Sequence, residues 1–334
     1  MSTPSATPKE DVVIGIDVGG TGIKTGLFHS DGRVLALRRD TTPSNDAGAR
    51  SLTGLVVEIV RWAYESSRAA GYAPLAVGIV VPGILEEASG VVGHAVNLGW
   101  RNLPLRDLVR TALDEAGFTL PLAFGHDVRA GALAESYPRA GDTVRHNRIA
   151  FVPIGTGIAS ALVENGRVVG GGLAGEIGQL RLTHGPFRGQ TVEEAASARA
   201  IARRAGVANA HELADLVRAD SAEARRIWDD AVEVLAETLA WIAAVSGATR
   251  IVVGGGLAES GDLLLLPLST RVAQILSPMP TPEIVKARHG DTASARGAAL
   301  LARAVATGEE RAPSPQDAIG TPAEAACPDQ AVTV

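Results

Sequence analysis

Val12-Val13-Ile14-Gly15-Ile16-Asp17-Val18-Gly19-Gly20-Thr21-Gly22-Ile23-Lys24-Thr25-Gly26 sets an apolar run, one acid and a cluster of glycines in immediate succession. The apolar run 12–16 has the composition of a buried strand and stops at one carboxylate, Asp17. Gly19, Gly20, Thr21 and Gly22 then make a tight turn, and residues 23–28 return as a second strand. A turn this rich in glycine brings backbone N–H groups close to an anion. An acid beside it suits a hydrated Mg²⁺, an ion that prefers oxygen ligands and keeps its waters. The stretch therefore reads either as a phosphate cradle with a metal-positioning acid or as a plain glycine-rich hairpin. Two nucleotide motifs are excluded. Lys24 does not follow a glycine at P-loop spacing, and the glycines lie between two strands rather than between strand and helix.

Working outward, 334 residues suggest two domains or one large split one. A hydrophobic content of 46% is enough for sizeable cores, and with only 4% aromatics these should be built from Val, Leu, Ile and Ala. A net charge of −6 argues against a nucleic-acid surface. The single cysteine, Cys327, excludes disulfides and cysteine-built zinc sites within the chain. No segment has the pattern of a signal peptide or the length of a membrane span, so a soluble, cytoplasmic protein is expected.

Residues 1–10 and 310–334 are small, polar or charged and proline-bearing, and read as disordered tails. Asp31-Gly32 turns the chain into a third strand over 34–38. Leu52, Leu55, Val56, Ile59 and Ala63 fall at helical spacing within 49–70, which Gly71 closes. A strand over 75–81 meets Pro82-Gly83, a helix runs from Pro104 to Gly117, and a strand covers 120–124. Three strands, then helix, strand, helix, strand describe a mixed-sheet α/β domain. Gly125-His126-Asp127 leads into a helix over 128–136. Asp127 is either an ordinary N-cap or a carboxylate at the mouth of the sheet, where α/β folds place ligands.

A second apolar strand over 149–154 runs into Gly155-Thr156-Gly157, and residues 158–163 return. This echo of the first hairpin suggests two related halves, each with its own phosphate turn, clamping a polyphosphate between them. Further on, glycines crowd Glu176, and Glu193 lies in the first turn of a helix read over 191–204. Helices follow over 211–218 and 222–247, then a strand over 250–253 ending in Gly254-Gly255-Gly256, a helix over 262–276, a short strand over 283–285 and a small-residue helix over 293–306.

Together these segments resemble the ROK family of repressors, open reading frames and sugar kinases, over residues 11–308. The resemblance is carried by 15–21, by Asp127 with 130–135, by 155–157 through 175–178, and by 253–257. It implies an α/β, two-domain actin-like ATPase fold, a duplicated ribonuclease H-like unit with a central cleft. The expected division is a small domain, 11–124 plus 292–309, and a large one, 125–291. The resemblance assigns Asp17, Gly19, Gly20, Thr21 and Lys24 to ATP phosphates and Mg²⁺, Gly155, Thr156 and Gly157 to a second phosphate turn, and Gly255 and Gly256 to the adenosine pocket. It makes Asp127 the general base on a hexose 6-hydroxyl and puts Gly83, Asn97, Glu176 and Glu193 around the sugar. Asn97-Leu98-Gly99-Trp100 is otherwise a surface loop pinned by Trp100.

The chemistry suits these residue types. A primary alcohol is a poor nucleophile, so a carboxylate should accept its proton as bonding proceeds. The remainder is positioning and charge neutralisation, with closing lobes excluding water. Ionised Glu176 and Glu193 can each accept several sugar hydroxyls.

Three departures from the family pattern bear on substrate and metal. His126 replaces an Asn before the catalytic Asp, Gln179 replaces a His after Glu-Ile-Gly, and residues 183–190 replace a cysteine-rich zinc loop. No structural zinc is expected, since His184 alone makes no site. His126 and Gln179 would both border the sugar. An imidazole accepting from an amine favours an amino- or modified glucose such as kanosamine (3-amino-3-deoxyglucose), against plain glucose if His126 merely replaces Asn.

The expected function is an ATP-dependent hexose 6-kinase. The alternatives are a sugar-responsive repressor, for which no DNA-binding module fits before Val12, and a non-catalytic sugar sensor. Polyphosphate as donor would call for a basic groove, so ATP is preferred. A small-molecule hexose is the expected partner, with neither nucleic acid nor membrane, and a homodimer is the family habit.

Overall fold

Strand β1 (Asp11–Val18) pairs antiparallel with β2 (Gly22–His29) from Val12↔His29 to Val18↔Ile23, so the opening hairpin forms in the expected register. The computed structural model describes residues 11–137, 146–170 and 173–308; both expected tails and Cys327 lie outside them. Strand β3 (Val34–Thr41) runs three residues past its expected end, because its pairing with β2 continues to Gly22↔Thr41. Helix α1 (Arg50–Ala69) follows, then β4 (Ala73–Val81), which pairs parallel with β1. Strands β5 (Ile84–Glu86), β6 (Val91–Ala95) and β7 (Trp100–Leu103) form a separate three-stranded sheet that sequence reading missed. Its strands are three to five residues long, too short for an alternating pattern to stand out. Trp100 is buried and its indole N–H donates to the Asp46 carbonyl at 2.9 Å, so the 97–100 segment is pinned as expected. Helix α2 (Leu105–Glu115), strand β8 (Leu122–His126) and helix α3 (Asp127–Glu135) complete the first half.

The second half opens with β9 (Arg148–Pro153), β10 (Ala161–Glu164) and β11 (Arg167–Val169). Four helices follow: α4 (Val192–Ala196), α5 (Ala198–Ala205), α6 (Ala210–Arg218) and α7 (Ala222–Ser246). Then come β12 (Arg250–Gly254), α8 (Gly255–Ala258), α9 (Asp262–Leu276), β13 (Glu283–Lys286) and α10 (Ala293–Thr307).

The two five-stranded sheets have the same internal order. One reads β3-β2-β1-β4-β8 and the other β11-β10-β9-β12-β13, each its own third, second, first, fourth and fifth strand. In both, the first three strands are antiparallel and the last two join parallel. This is the duplicated ribonuclease H-like arrangement of an actin-like ATPase, as expected.

The halves bury separate cores. Ile14, Ile16 and Leu27 of the first sheet pack with Leu52, Val56 and Ile59 of α1. Val152, Ile251 and Val253 of the second pack with Trp228, Leu235 and Leu239 of α7. Each such aliphatic side chain contributes about 1.5–3 kcal/mol on burial. The small-residue helix α10 lies across the back of the first sheet. A Cβ at Gly15 would collide with the Ala295 carbonyl, and one at Gly78 with the Ala298 carbonyl. On its other side α10 meets α3, where a Cβ at Gly297 would strike the Ala130 backbone. No helix of the described residues is long and apolar enough to cross a membrane.

Candidate active site

The first turn closes with Gly19 N–H donating to the Gly22 carbonyl at 2.9 Å. Thr42, just past β3, holds it from outside: its hydroxyl donates to the Gly19 carbonyl at 2.7 Å. Gly20 and Thr21 face solvent. Asn97 stands beside them; a Cβ on Gly20 would lie 3.2 Å from that of Asn97. Gly83, at φ +114°, lets the chain turn directly against His94 and Ala95, which precede the short helical turn carrying Asn97.

Asp17, next to last in β1, is a buried carboxylate opposite Lys24. Burial pushes its pKa up to about 7, the Asp127 charge pushes the same way, and Lys24 pulls back. Asp17 and Asp127 therefore face a common space closely enough for their charges to repel.

Asp127 is the first residue of α3, but it is not the cap. His126 takes that place, with Nδ1 accepting the Val128 N–H at 3.1 Å, and Asp127 Oδ1 accepts the same N–H at 2.7 Å. The same Nδ1 lies 3.1 Å from Asp127 Oδ1, so this ring nitrogen meets both an amide donor and a carboxylate acceptor. The His126 ring also lines a cavity of about 300 Å³ with Glu87, Arg129, Arg167 and Leu301. Arg129 and Glu87 pair across it at 2.9 Å.

The second turn departs from simple hairpin form. Strand β10 starts at Ala161, not at 158, because the intervening amides have other partners. Ile158 N–H donates to Glu193 Oε2 at 3.1 Å, and Ser160 N–H to the Gly175 carbonyl at 2.8 Å. Glu193 presses so close that a Cβ on Gly157 would lie 2.7 Å from its Oε2. Gln179 Nε2 reaches the same oxygen at 3.4 Å. The helix expected over 191–204 breaks at Ser197, whose side chain caps α5 by accepting the Ala200 N–H at 3.1 Å. The break frees the Ala198 N–H to hold the Gly155 carbonyl at 2.9 Å. Gly255, at φ +75°, lies against the Ile154 backbone, and Leu257 N–H donates to the Ile154 carbonyl at 3.1 Å.

The structure thus brings together Asp17 with Asp127, Gly20 with Asn97, Gly157 with Glu193 and Gln179, and Gly255 with the strand entering the second turn. Glu176 joins through its backbone, as its carbonyl accepts the Gln179 N–H at 3.1 Å. Sequence reading missed Thr42 and Ser197, which act on the turns from 23 and 42 residues away and carry no local signal. In place of a zinc loop, 183–190 carries His184, whose Nε2 lies 3.1 Å from Glu237 Oε1. Among the described residues no three His, Cys, Asp or Glu side chains converge on a metal position. Chemically, the arrangement offers one carboxylate in a dry site, a second at a helix start, and two backbone-rich turns.

Residues 13–305 match the ROK family. A glucokinase of Halalkalibacterium halodurans is 30% identical over 287 residues, covering 76% of this chain and 83% of its own. An N-acetylmannosamine kinase of Escherichia fergusonii is 30% identical over 307 residues, covering 87% and 98%. The crystal structure of a ROK family glucokinase from Streptomyces griseus in complex with glucose and AMPPNP superposes with a TM-score of 0.73 at 26% identity, covering 87% of this chain and 99% of that one.

Proposed function

Because the chain belongs to the ROK family, we propose that it is a sugar kinase transferring the γ-phosphate of ATP to the 6-hydroxyl of a hexose. The observation that carries this reading is the buried Asp17 carboxylate at the entry to the first glycine turn, whose pKa is raised by burial and by the Asp127 charge. A buried carboxylate raised to about 7 beside a second acid is a place that lacks positive charge, which fits Mg²⁺ carried with ATP. Asp17 would hold that ion through its waters, and the ion would neutralise charge on the transferring phosphoryl group.

The chain's own residues do the rest. The turns Gly19-Gly20-Thr21 and Gly155-Thr156-Gly157 line the phosphates from two sides, the Gly19 and Gly155 amides closing the turns from within, with Lys24 adding charge near Asp17. Gly255 and Gly256 leave space for adenosine. Gly83, Asn97, Glu176, Gln179 and Glu193 orient the sugar hydroxyls. Asp127 accepts the 6-hydroxyl proton as the new P–O bond forms. A carboxylate placed this way contributes about a hundred- to ten-thousand-fold in rate. The division into 11–124 with 292–309 and 125–291 supplies the two lobes that close over the sugar. ATP as donor draws support from the AMPPNP-bound neighbour.

Plain glucose is favoured at the sugar site by the likeness to glucokinases. The Asn-to-His departure keeps an amino-glucose such as kanosamine as the second reading. A coupled ADP-release assay over glucose, mannose, glucosamine, N-acetylmannosamine and kanosamine tests both. Glucose is expected to turn over fastest; kanosamine turning over faster would reverse the order of the two readings. Asp127→Asn should lose about a hundred- to ten-thousand-fold in kcat while calorimetry still detects sugar binding. Full activity in that variant would remove Asp127 from the chemistry, and no ADP release with any sugar would refute the kinase reading.

A further inference from the structure

Between Gln179 and Glu193 the chain makes a narrow two-stranded projection. Val192 N–H donates to the Leu180 carbonyl at 2.9 Å, Arg181 bridges Thr191, and Leu182 and Gln190 pair at 2.9 Å. Nearly all of 181–190 is exposed; Leu182 and Phe187 are the two residues turned inward. Both pack against the core of the second half. Over the Phe187 ring lies the Arg204 guanidinium, 4.6 Å from its centroid. Arg204 is half-buried, its Nε meets no acceptor, and burial holds its pKa below the usual arginine range. Beside the aromatic face it makes a long 3.4 Å bond to the Ile227 carbonyl and feels the opposing charges of Asp230 and Arg226. A partly desolvated cation is held over an aromatic ring more firmly than an exposed one.

Arg204 stands on α5, and the Ala198 N–H at the start of that helix holds the Gly155 carbonyl. Phe187 leads back along the projection to Glu193, whose carboxylate binds the Ile158 amide next to Gly157. The contacts therefore close a ring from the second glycine turn through α5, Arg204, Phe187 and Glu193 to the same turn. We infer that Phe187 and Arg204 are positioning residues: their stacking braces the 180–192 projection so that Glu193 and Gln179 stay fixed beside the second turn and in reach of the sugar. The exposed His184–Glu237 pair at the tip adds little, as solvent-facing ion pairs do. The sugar arm of the inference rests on the proposed kinase function, whereas the mechanical arm does not.

The test uses Phe187→Ala, Phe187→Tyr, Arg204→Met and the double variant Phe187→Ala/Arg204→Met in the full chain. Two readouts are taken: steady-state kinetics with glucose and ATP, and hydrogen exchange at the Ile158 amide. Phe187→Ala and Arg204→Met should each raise the glucose KM about tenfold with the ATP KM and kcat within about threefold, the signature of lost sugar positioning. Phe187→Tyr keeps the ring face and should restore the wild-type glucose KM. The double variant should be no worse than the poorer single one, since both break one contact. Ile158 exchange should quicken in both single variants and recover in Phe187→Tyr. Unchanged Ile158 exchange in a folded Phe187→Ala protein overturns the brace whatever the activity. Faster exchange with an unchanged glucose KM overturns its role in sugar positioning. A wild-type protein that phosphorylates no sugar refutes the kinase reading and leaves the exchange experiment to decide the brace. If Phe187→Ala does not fold, Arg204→Met decides on the same two readouts.

Discussion

The two glycine turns occupy matching places in sheets of matching strand order, yet they are built differently. The first is a tight hairpin in continuous register, and its strand delivers a buried acid, Asp17, just before the turn. The second lies between β9 and β10 strands that stop pairing early, and buried Ile154 precedes it. The first is held by Thr42, a neighbour on its own sheet; the second by Glu193 and α5, elements of the sugar side. Duplication thus supplied two equivalent positions for backbone amides. Only one copy carries the charge that suits a metal; the other is hydrogen-bonded directly to a proposed sugar residue, Glu193, whereas the first meets one, Asn97, only by close approach at Gly20. A kinase needs both, because neutralising phosphate and sensing the sugar are separate tasks.

The largest expected effect comes from removing the charge that distinguishes the first turn. Asp17→Asn should cost at least about a hundredfold in kcat, the scale for losing one electrostatic element around a transferring group. It should also flatten a pH dependence. The Asp17 pKa is about 7 in the folded chain against 3.8 for the free side chain. Between those values the folded chain holds a proton that the unfolded chain releases. The Asp17 contribution to stability is therefore fully present below about pH 4 and is lost as pH rises through 7. The Asn variant, free of that slope, should be more stable than the parent at pH 8 by a few kcal/mol on the order-of-magnitude scale of such shifts, and no more stable at pH 4. Chemical denaturation of both proteins at the two pH values, without nucleotide, reads this. An equal stability difference at both would show that Asp17 is ionised throughout.

How much of this contrast was legible beforehand follows from where its causes lie in the chain. The first hairpin was readable because apolar strand, acid, glycines and returning strand are contiguous. Asp127 was placed at the mouth of the sheet because a strand-to-helix junction is also local. The second turn was found as an echo, but its return strand was drawn three residues early, from 158 instead of Ala161. Nothing in 158–160 announces that Glu193 and Gly175 will claim those amides. His126 was expected to accept from the substrate because its residue type allows both roles. The Val128 amide and the Asp127 carboxylate both approach its Nδ1, and nothing in the residue types announces that.

A middle-sized effect separates backbone approach from folding. A Cβ on Gly155 would meet nothing within 4 Å, whereas one on Gly19 would lie 2.9 Å from the Gly22 carbonyl. Gly155→Ala should leave the melting temperature within about 2 °C of the parent. It should nevertheless raise the ATP KM about tenfold, because the methyl group would occupy the space through which a phosphate reaches the amides. Gly19→Ala, in contrast, should lose stability and activity together. If Gly155→Ala keeps the parental ATP KM, the second turn is a structural bend and the two-sided clamp fails, with the first turn left to act alone.

The smallest effect tests how each turn is held. Thr42→Val keeps shape and burial but deletes the hydroxyl that donates to the Gly19 carbonyl at 2.7 Å. A lost neutral hydrogen bond that leaves one acceptor unmet costs about 1 kcal/mol. The Thr42 N–H still reaches the Thr21 carbonyl at 3.3 Å, so the turn should loosen without opening. The expected outcome is a melting temperature lower by about 2 °C and an ATP KM raised two- to threefold, with the glucose KM unchanged. The second turn offers no equivalent handle, since the Gly155 carbonyl takes a backbone N–H from α5. It can be loosened only through its sugar-side supports, so any variant that weakens ATP binding there should weaken sugar binding as well. A Thr42→Val protein whose glucose KM rose in step with its ATP KM would show that the first turn too is tied to the sugar, and the division of labour between the halves would be lost.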